Sequence, residues 1–161
     1  MNVGLSFFWP TGSADVYRVG SSKYLEAFFG FVEHVLESGD LGSRFPVLMK
    51  SLYLDEEHGV EGSEAYASLL CEIAEAEKLM GEATLWSSVA VKHIPHALLN
   101  ERPPNGAKNV AEYFGPIFKA IRSAKEGFDY FEGKGRLVIV ITDITDRGVR
   151  SMYPHLGRKA K

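Results

Sequence analysis

The stretch Arg136-Leu137-Val138-Ile139-Val140-Ile141-Thr142 constrains this chain more than any other. Five consecutive aliphatic residues, four of them β-branched, stand between Arg136 and Thr142. The run is too short for a buried helix and lacks the polar alternation of a strand with one wet face. It reads as an interior strand covered on both faces, with the rest of the chain supplying the cover. Asp143 and Asp146 stand at and just beyond its end, where carboxylates can serve catalysis or hold a metal and where short polar residues also simply end strands.

Ahead of that strand, residues 3 to 9 (Val-Gly-Leu-Ser-Phe-Phe-Trp) read as a first strand, and Pro10-Thr11-Gly12-Ser13 is turn chemistry. Asp15-Val16-Tyr17-Arg18-Val19 alternates polar with apolar, which predicts a second strand and a hairpin. Ser21 and Ser22 offer N-cap hydroxyls to a helix over Lys23 to Ser38 with Gly39 at its close. Arg44 to Leu54 reads as a loop passing into a short helix with Pro46 in its first turn. Asp55 to Gly62 is a polar loop, and Ser63 is placed to cap the next helix. That helix carries Tyr66, Leu69, Leu70, Ile73, Ala76 and Met80 at helical spacing and ends at Gly81. Thr84 to Val91 fits a strand or irregular structure, and Lys92 to Ala107 carries three prolines and reads as a loop. Val110, Tyr113, Phe114, Ile117, Phe118, Ile121 and Ala124 form an amphipathic stripe. Gly115-Pro116 either kinks it or divides it into two helices, and Gly127 is expected to close it. The expectation is an α+β (or α/β) fold: a small mixed sheet containing an N-terminal hairpin and a buried C-terminal strand, with about four helices packed on it. At 161 residues the chain has the length of one domain, large enough to bury roughly 70% of its unfolded surface. Residues 1–146 are read as that domain and 147–161 as a basic tail.

No catalytic signature emerges. The single Cys71 cannot form an internal disulfide, and its place in an apolar helical pattern predicts a packed thiol. His34, beside Glu33 and Glu37, reads as a solvent-facing or helix-paired histidine. His93 and His96 are two ligands at most, with Pro95 between them, short of the three or four that metal sites require. Gly133-Lys134-Gly135-Arg136 precedes a strand, whereas a P-loop follows one, so it reads as a turn into the strand. No Ser-His-Asp or Cys-His set can be assembled. The expectation is therefore a protein with no catalytic residues, no bound metal and no cofactor. The opening residues lack a basic n-region and a long apolar core, and no window approaches the ~20 apolar residues of a membrane span. The expectation is a soluble cytoplasmic protein with no membrane partner.

Charge carries more information. The total is only −3, but Asp55, Glu56, Glu57, Glu61, Glu64, Glu72, Glu75, Glu77 and Glu82 face Lys78 alone, nine against one, leaving −8 between residues 55 and 82. The tail holds Arg147, Arg150, Arg158, Lys159 and Lys161 without an acid, hence +5. It has one aromatic, Tyr153, and no recognisable nucleic-acid module, so a solvated terminus is favoured over direct nucleic-acid binding. Clustered carboxylates speed encounter with a basic partner and fix its register, or simply form a solvated face.

Three stretches in order bear on that choice: Gly20-Ser21-Ser22-Lys23-Tyr24-Leu25 leading to Phe28-Phe29; Arg44-Phe45-Pro46-Val47-Leu48-Met49-Lys50-Ser51-Leu52-Tyr53; and the acidic helix after them. Over roughly residues 15 to 142 the chain resembles the immunity protein 70 family of bacterial polymorphic-toxin systems. The resemblance implies a small cytoplasmic protein that binds and neutralises a cognate toxin domain, such as one delivered in contact-dependent growth inhibition, in a 1:1 complex and without catalysis. A basic nuclease as the toxin is inferred from the −8 segment, not from the family. Asp55, Glu56, Glu57, Glu61 and Glu64 are the first candidates for toxin contact, and Glu72 and Glu75 the second; none comes from a family motif. The competing reading is a small cytoplasmic enzyme or ligand-binding domain with a site near Asp143 and Asp146.

Overall fold

The aliphatic run forms an interior strand of a four-stranded sheet in the computed structural model, which describes residues 2–82 and 107–142. In chain order, β1 (Asn2–Phe8) and β2 (Ala14–Ser21) make a hairpin. Helix α1 (Ser22–Phe31) follows at once and runs on into a π-helical turn, Val32–Leu36. Then come the π-helical α2 (Val47–Leu54), the two-residue β3 (Val60–Glu61) and the long α3 (Ser63–Met80). The second described segment holds α4 (Val110–Tyr113), α5 (Gly115–Ser123), α6 (Lys125–Tyr130) and β4 (Arg136–Ile141). Strand order is β2-β1-β4-β3, with every neighbouring pair antiparallel. This is the α+β class that the pattern predicts.

Strand alternation gives the sheet two buried faces. Val3, Leu5, Phe7 and Leu137 point into the main core, where Phe28, Leu69, Ile73, Phe118 and Phe128 meet them. Phe8, Val138 and Val140 form a separate cluster on the opposite face, joined by Ala14 and Val16. β4 is therefore apolar on both sides, as its unbroken aliphatic run requires. Each fully buried aliphatic side chain of this kind contributes roughly 1.5–3 kcal/mol.

Local chemistry accounts for the element boundaries. Ser21 caps α1, its hydroxyl accepting the Tyr24 N–H at 3.1 Å. Asn109 caps α4 in the same way through Glu112 N–H. Pro116 lies in the first turn of α5, so Gly115-Pro116 divides the stripe into two helices. Tyr24 and Tyr66 tie the layers together: their hydroxyls donate to the carbonyls of Tyr113 and, at 2.6 Å, Ile121.

Several readings are corrected. Ser63 is the first residue of α3, not its cap; Gly62, at φ +93°, holds the cap position without a side-chain bond. The loop from Asp55 to Gly62 contains strand β3. Gly127 does not end a helix but lies within α6, where a Cβ would meet the Phe7 ring at 2.5 Å. Glycine there lets the helix approach the sheet. Cys71 is exposed, because it falls about 200° around α3 from the core residue Leu69. Residues 84–91, and all but Ala107 of the proline-rich loop, lie outside the described residues.

Candidate binding surface

Most of the acidic segment is gathered around one edge of the sheet. The chain leaves α2 at Leu54, turns through Asp55 to Gly59, adds β3 beside β4, and enters α3. Gly59, at φ +62°, passes so close to β4 that a Cβ would overlap the Leu137 carbonyl. That contact pins the loop against the sheet. Asp55 shapes the turn: its Oδ1 accepts the His58 N–H at 3.0 Å and lies 3.2 Å from the His58 ring Nδ1. The backbone hydrogen bond, ahead of the imidazole, holds the Asp55 carboxyl below the ordinary aspartate range.

The structure divides the sequence candidates into two groups. Glu61, Glu72 and Glu75 have partners inside the fold. Glu61 faces Arg136 across the β3–β4 pair, with Oε1 2.9 Å from Nη2. The Arg136 side chain is 1% exposed against 53% for Glu61, and its Nε and Nη1 have no hydrogen-bond partner among the described residues. Glu72 reaches from α3 to the start of α2, where its two oxygens accept the N–H groups of Val47 (3.2 Å) and Leu48 (2.9 Å). Those are donors that a helix start leaves unsatisfied. Partial burial pushes the Glu72 carboxyl up, against the pull of these bonds. Glu75 pairs with Arg44 at 2.5 Å on the surface. Glu56, Glu57 and Glu64 are the exposed remainder. Glu56 and Glu64 have no ion-pair or hydrogen-bond partner among the described residues.

Sequence counting overstates the charge of this surface. Arg44, Arg122 and Arg136 come from other segments to sit on Glu75, Glu77 and Glu61, so three positive charges reduce the segment's −8 to −5. The excess is concentrated at the loop and the first turn of α3. Beside it stands Leu54, 56% exposed, an apolar side chain on the rim of an acidic patch. The sequence reading gave Leu54 no role, and nothing in its helical spacing marked it as exposed. It also passed over Glu37, which is buried and accepts the N–H groups of Gly42, Arg44 and Phe45 at 2.9–3.0 Å. That carboxylate fixes the loop leading to α2.

His34 is exposed and lies 3.7 Å from Glu33, in keeping with its bland reading. Gly133-Lys134-Gly135 forms the turn from α6 into β4, with Gly133 N–H donating to the Phe128 carbonyl. Asp143, Asp146, His93, His96 and the tail from Arg147 lie outside the described residues. Among the described residues no group of three or more His, Cys, Asp or Glu is placed to hold a metal. No described helix is long and apolar enough to cross a membrane.

The family model described as Immunity protein 70 matches residues 7–141. The chain belongs to the immunity protein 70 family. No curated protein and no solved structure matches it. The match runs from the end of β1 to the end of β4, so it takes in every described helix and every strand but most of β1. Membership implies an inhibitor that acts by binding a cognate toxin, not by catalysis. For such a protein the relevant chemistry is that of an interface: exposed anchors, unneutralised charge and a rigid support.

Proposed function

We propose that this immunity protein neutralises a cognate bacterial toxin domain by forming a 1:1 complex that occludes it, with the loop and helix start from Asp55 to Glu64 as the contact surface. Family membership carries the inhibitory role. The choice of surface is supported by one juxtaposition, the exposed Leu54 two residues before the exposed Glu56 and Glu57, in the segment that goes on to the exposed Glu64. An apolar anchor within a charged rim is the usual anatomy of a recognition patch. Exposed carboxylates attract a basic protein, raise its association rate and set its orientation. Domains that grip nucleic acid are basic, so the proposed toxin is a nuclease whose substrate-binding face meets this patch. Asp55, Glu61, Glu72 and Glu75 then act chiefly by holding the patch in shape.

The protein is proposed to work in the cytoplasm of the cell it protects, against a toxin of the contact-dependent kind, without binding nucleic acid itself. The test is co-expression with the toxin domain encoded beside it. Growth is restored and the two proteins co-purify if the proposal holds; arrested growth with no co-purified complex overturns it. Charge reversal at Glu56, Glu57 and Glu64 together is expected to slow association about tenfold at low salt and to flatten its salt dependence.

A further inference from the structure

A second surface lies at the other edge of the sheet. Between β2 and the helices α5 and α6 run two clefts that share Tyr17 as a common wall. The first, about 580 Å³, is lined by Trp9, Asp15, Tyr17, Glu126, Tyr130 and Phe131. The second, about 540 Å³, has Arg18 and Lys119 among its walls with Pro116 and Ala120. One is acidic and aromatic, the other basic.

The aromatic wall is assembled in advance. Trp9 and Tyr130 each lean on Phe131, at centroid distances of 5.4 and 4.8 Å, and Trp9 Nε1 donates to Asp15 at 2.9 Å. Tyr130 is nonetheless 80% exposed, and with Leu54 it is one of two exposed large hydrophobic residues among those described. Glu126 has no hydrogen-bond or ion-pair partner among the described residues, whereas the nearby Asp129 is paired with Lys125. Asp15 and Glu126 line the cleft with Tyr17, and burial first, then their charges, raises the Tyr17 hydroxyl above the ordinary tyrosine range.

Two carboxylates beside a cluster of tilted and edge-on aromatic rings are surroundings that suit a guanidinium, since it pairs with carboxylates in its plane and stacks on an open ring through its face. Lys119 next door favours a carboxylate. The groove is open along its length, unlike the enclosed pockets that bury most of a small ligand. We propose that it receives an extended segment of the cognate toxin domain, whose arginine enters the acidic cleft and whose neighbouring carboxylate meets Lys119. This rests on the immunity reading. It adds a contact at the sheet edge opposite the Asp55–Glu64 patch, roughly three strand spacings or 14 Å across.

The experiment titrates the wild-type protein and the variants Tyr130→Ala, Glu126→Lys and Lys119→Glu with the cognate toxin domain, recording affinity and melting temperature. All three residues are exposed, so melting is expected to stay at the wild-type value. Kd is expected to rise tenfold or more for Tyr130→Ala and Glu126→Lys, and about threefold for Lys119→Glu. No complex with the wild type overturns the immunity reading and this proposal with it. A wild-type complex whose affinity is unchanged in all three variants overturns this proposal alone. A self-associated wild type that becomes monomeric in the variants, with toxin affinity unchanged, assigns the groove to a second copy and also overturns it.

Discussion

Replacing Glu61 by alanine separates a structural carboxylate from a contact carboxylate. Arg136 is buried on the sheet face carrying Val138 and Val140, and among the described residues its ion-pair partner is Glu61, at 2.9 Å. Two further guanidinium nitrogens already lack partners among the described residues. Removing one member of a fully buried pair costs about 3–5 kcal/mol. Glu61 is half exposed, so water screens part of that and about 2 kcal/mol is the appropriate figure. For a chain of this length each kcal/mol shifts the melting temperature by about 2–4 °C, so Glu61→Ala is expected to melt about 4–8 °C lower. Glu61→Gln keeps an oxygen that can accept from Nη2 and is expected to lose less. Glu56→Ala, a surface change without a partner, is expected to stay within about 0.5 kcal/mol of wild type. Differential scanning calorimetry at neutral pH reads all three. A Glu61→Ala protein that melts with wild type would refute the reasoning, because Arg136 would then not depend on that carboxylate.

Other predictions follow from the same contacts. Glu37→Gln places an amide N–H₂ against backbone N–H donors in a buried site and is expected to cost about 2–4 kcal/mol in urea unfolding. Gly127→Ala drives a methyl into the Phe7 ring and is expected to destabilise by about 2 kcal/mol despite alanine's better helix propensity, checked by the same unfolding curves. Asp55 has its pKa lowered in the folded state, so its stabilisation is full above the ordinary aspartate value of 3.8 and is lost as pH falls through the folded value. The stability gap between wild type and Asp55→Asn is therefore expected to close on acidification below that point, measured by melting at stepped pH.

Much of the scaffold was legible because it is encoded locally. The aliphatic run at Leu137–Ile141 has one comfortable environment, and Ser21, Pro116 and the stripe from Val110 to Ala124 carry their own start and spacing signals. What escaped depends on distant partners. Val60–Glu61 is a strand only because β4 lies alongside, and Glu61 meets Arg136 only through a register set 75 residues away. Cys71 looked packed because its neighbours are apolar, yet two helical positions carry it from the core to the outside. The groove at β2 draws Trp9, Asp15 and Tyr17 from the hairpin and Glu126, Tyr130 and Phe131 from α6, over a hundred residues away along the chain. No local pattern joins them. The acidic segment was visible as charge, but which of its carboxylates are committed to internal bonds required the fold.

Binding to the toxin is the claim on which the rest depends. The direct measurement is calorimetric titration of the purified protein with the domain encoded beside it, followed by assay of that domain's activity in the mixture. The account predicts saturation at one to one, with toxin activity falling in step with complex formation. Absence of a complex, or a complex in which the toxin stays fully active, contradicts it.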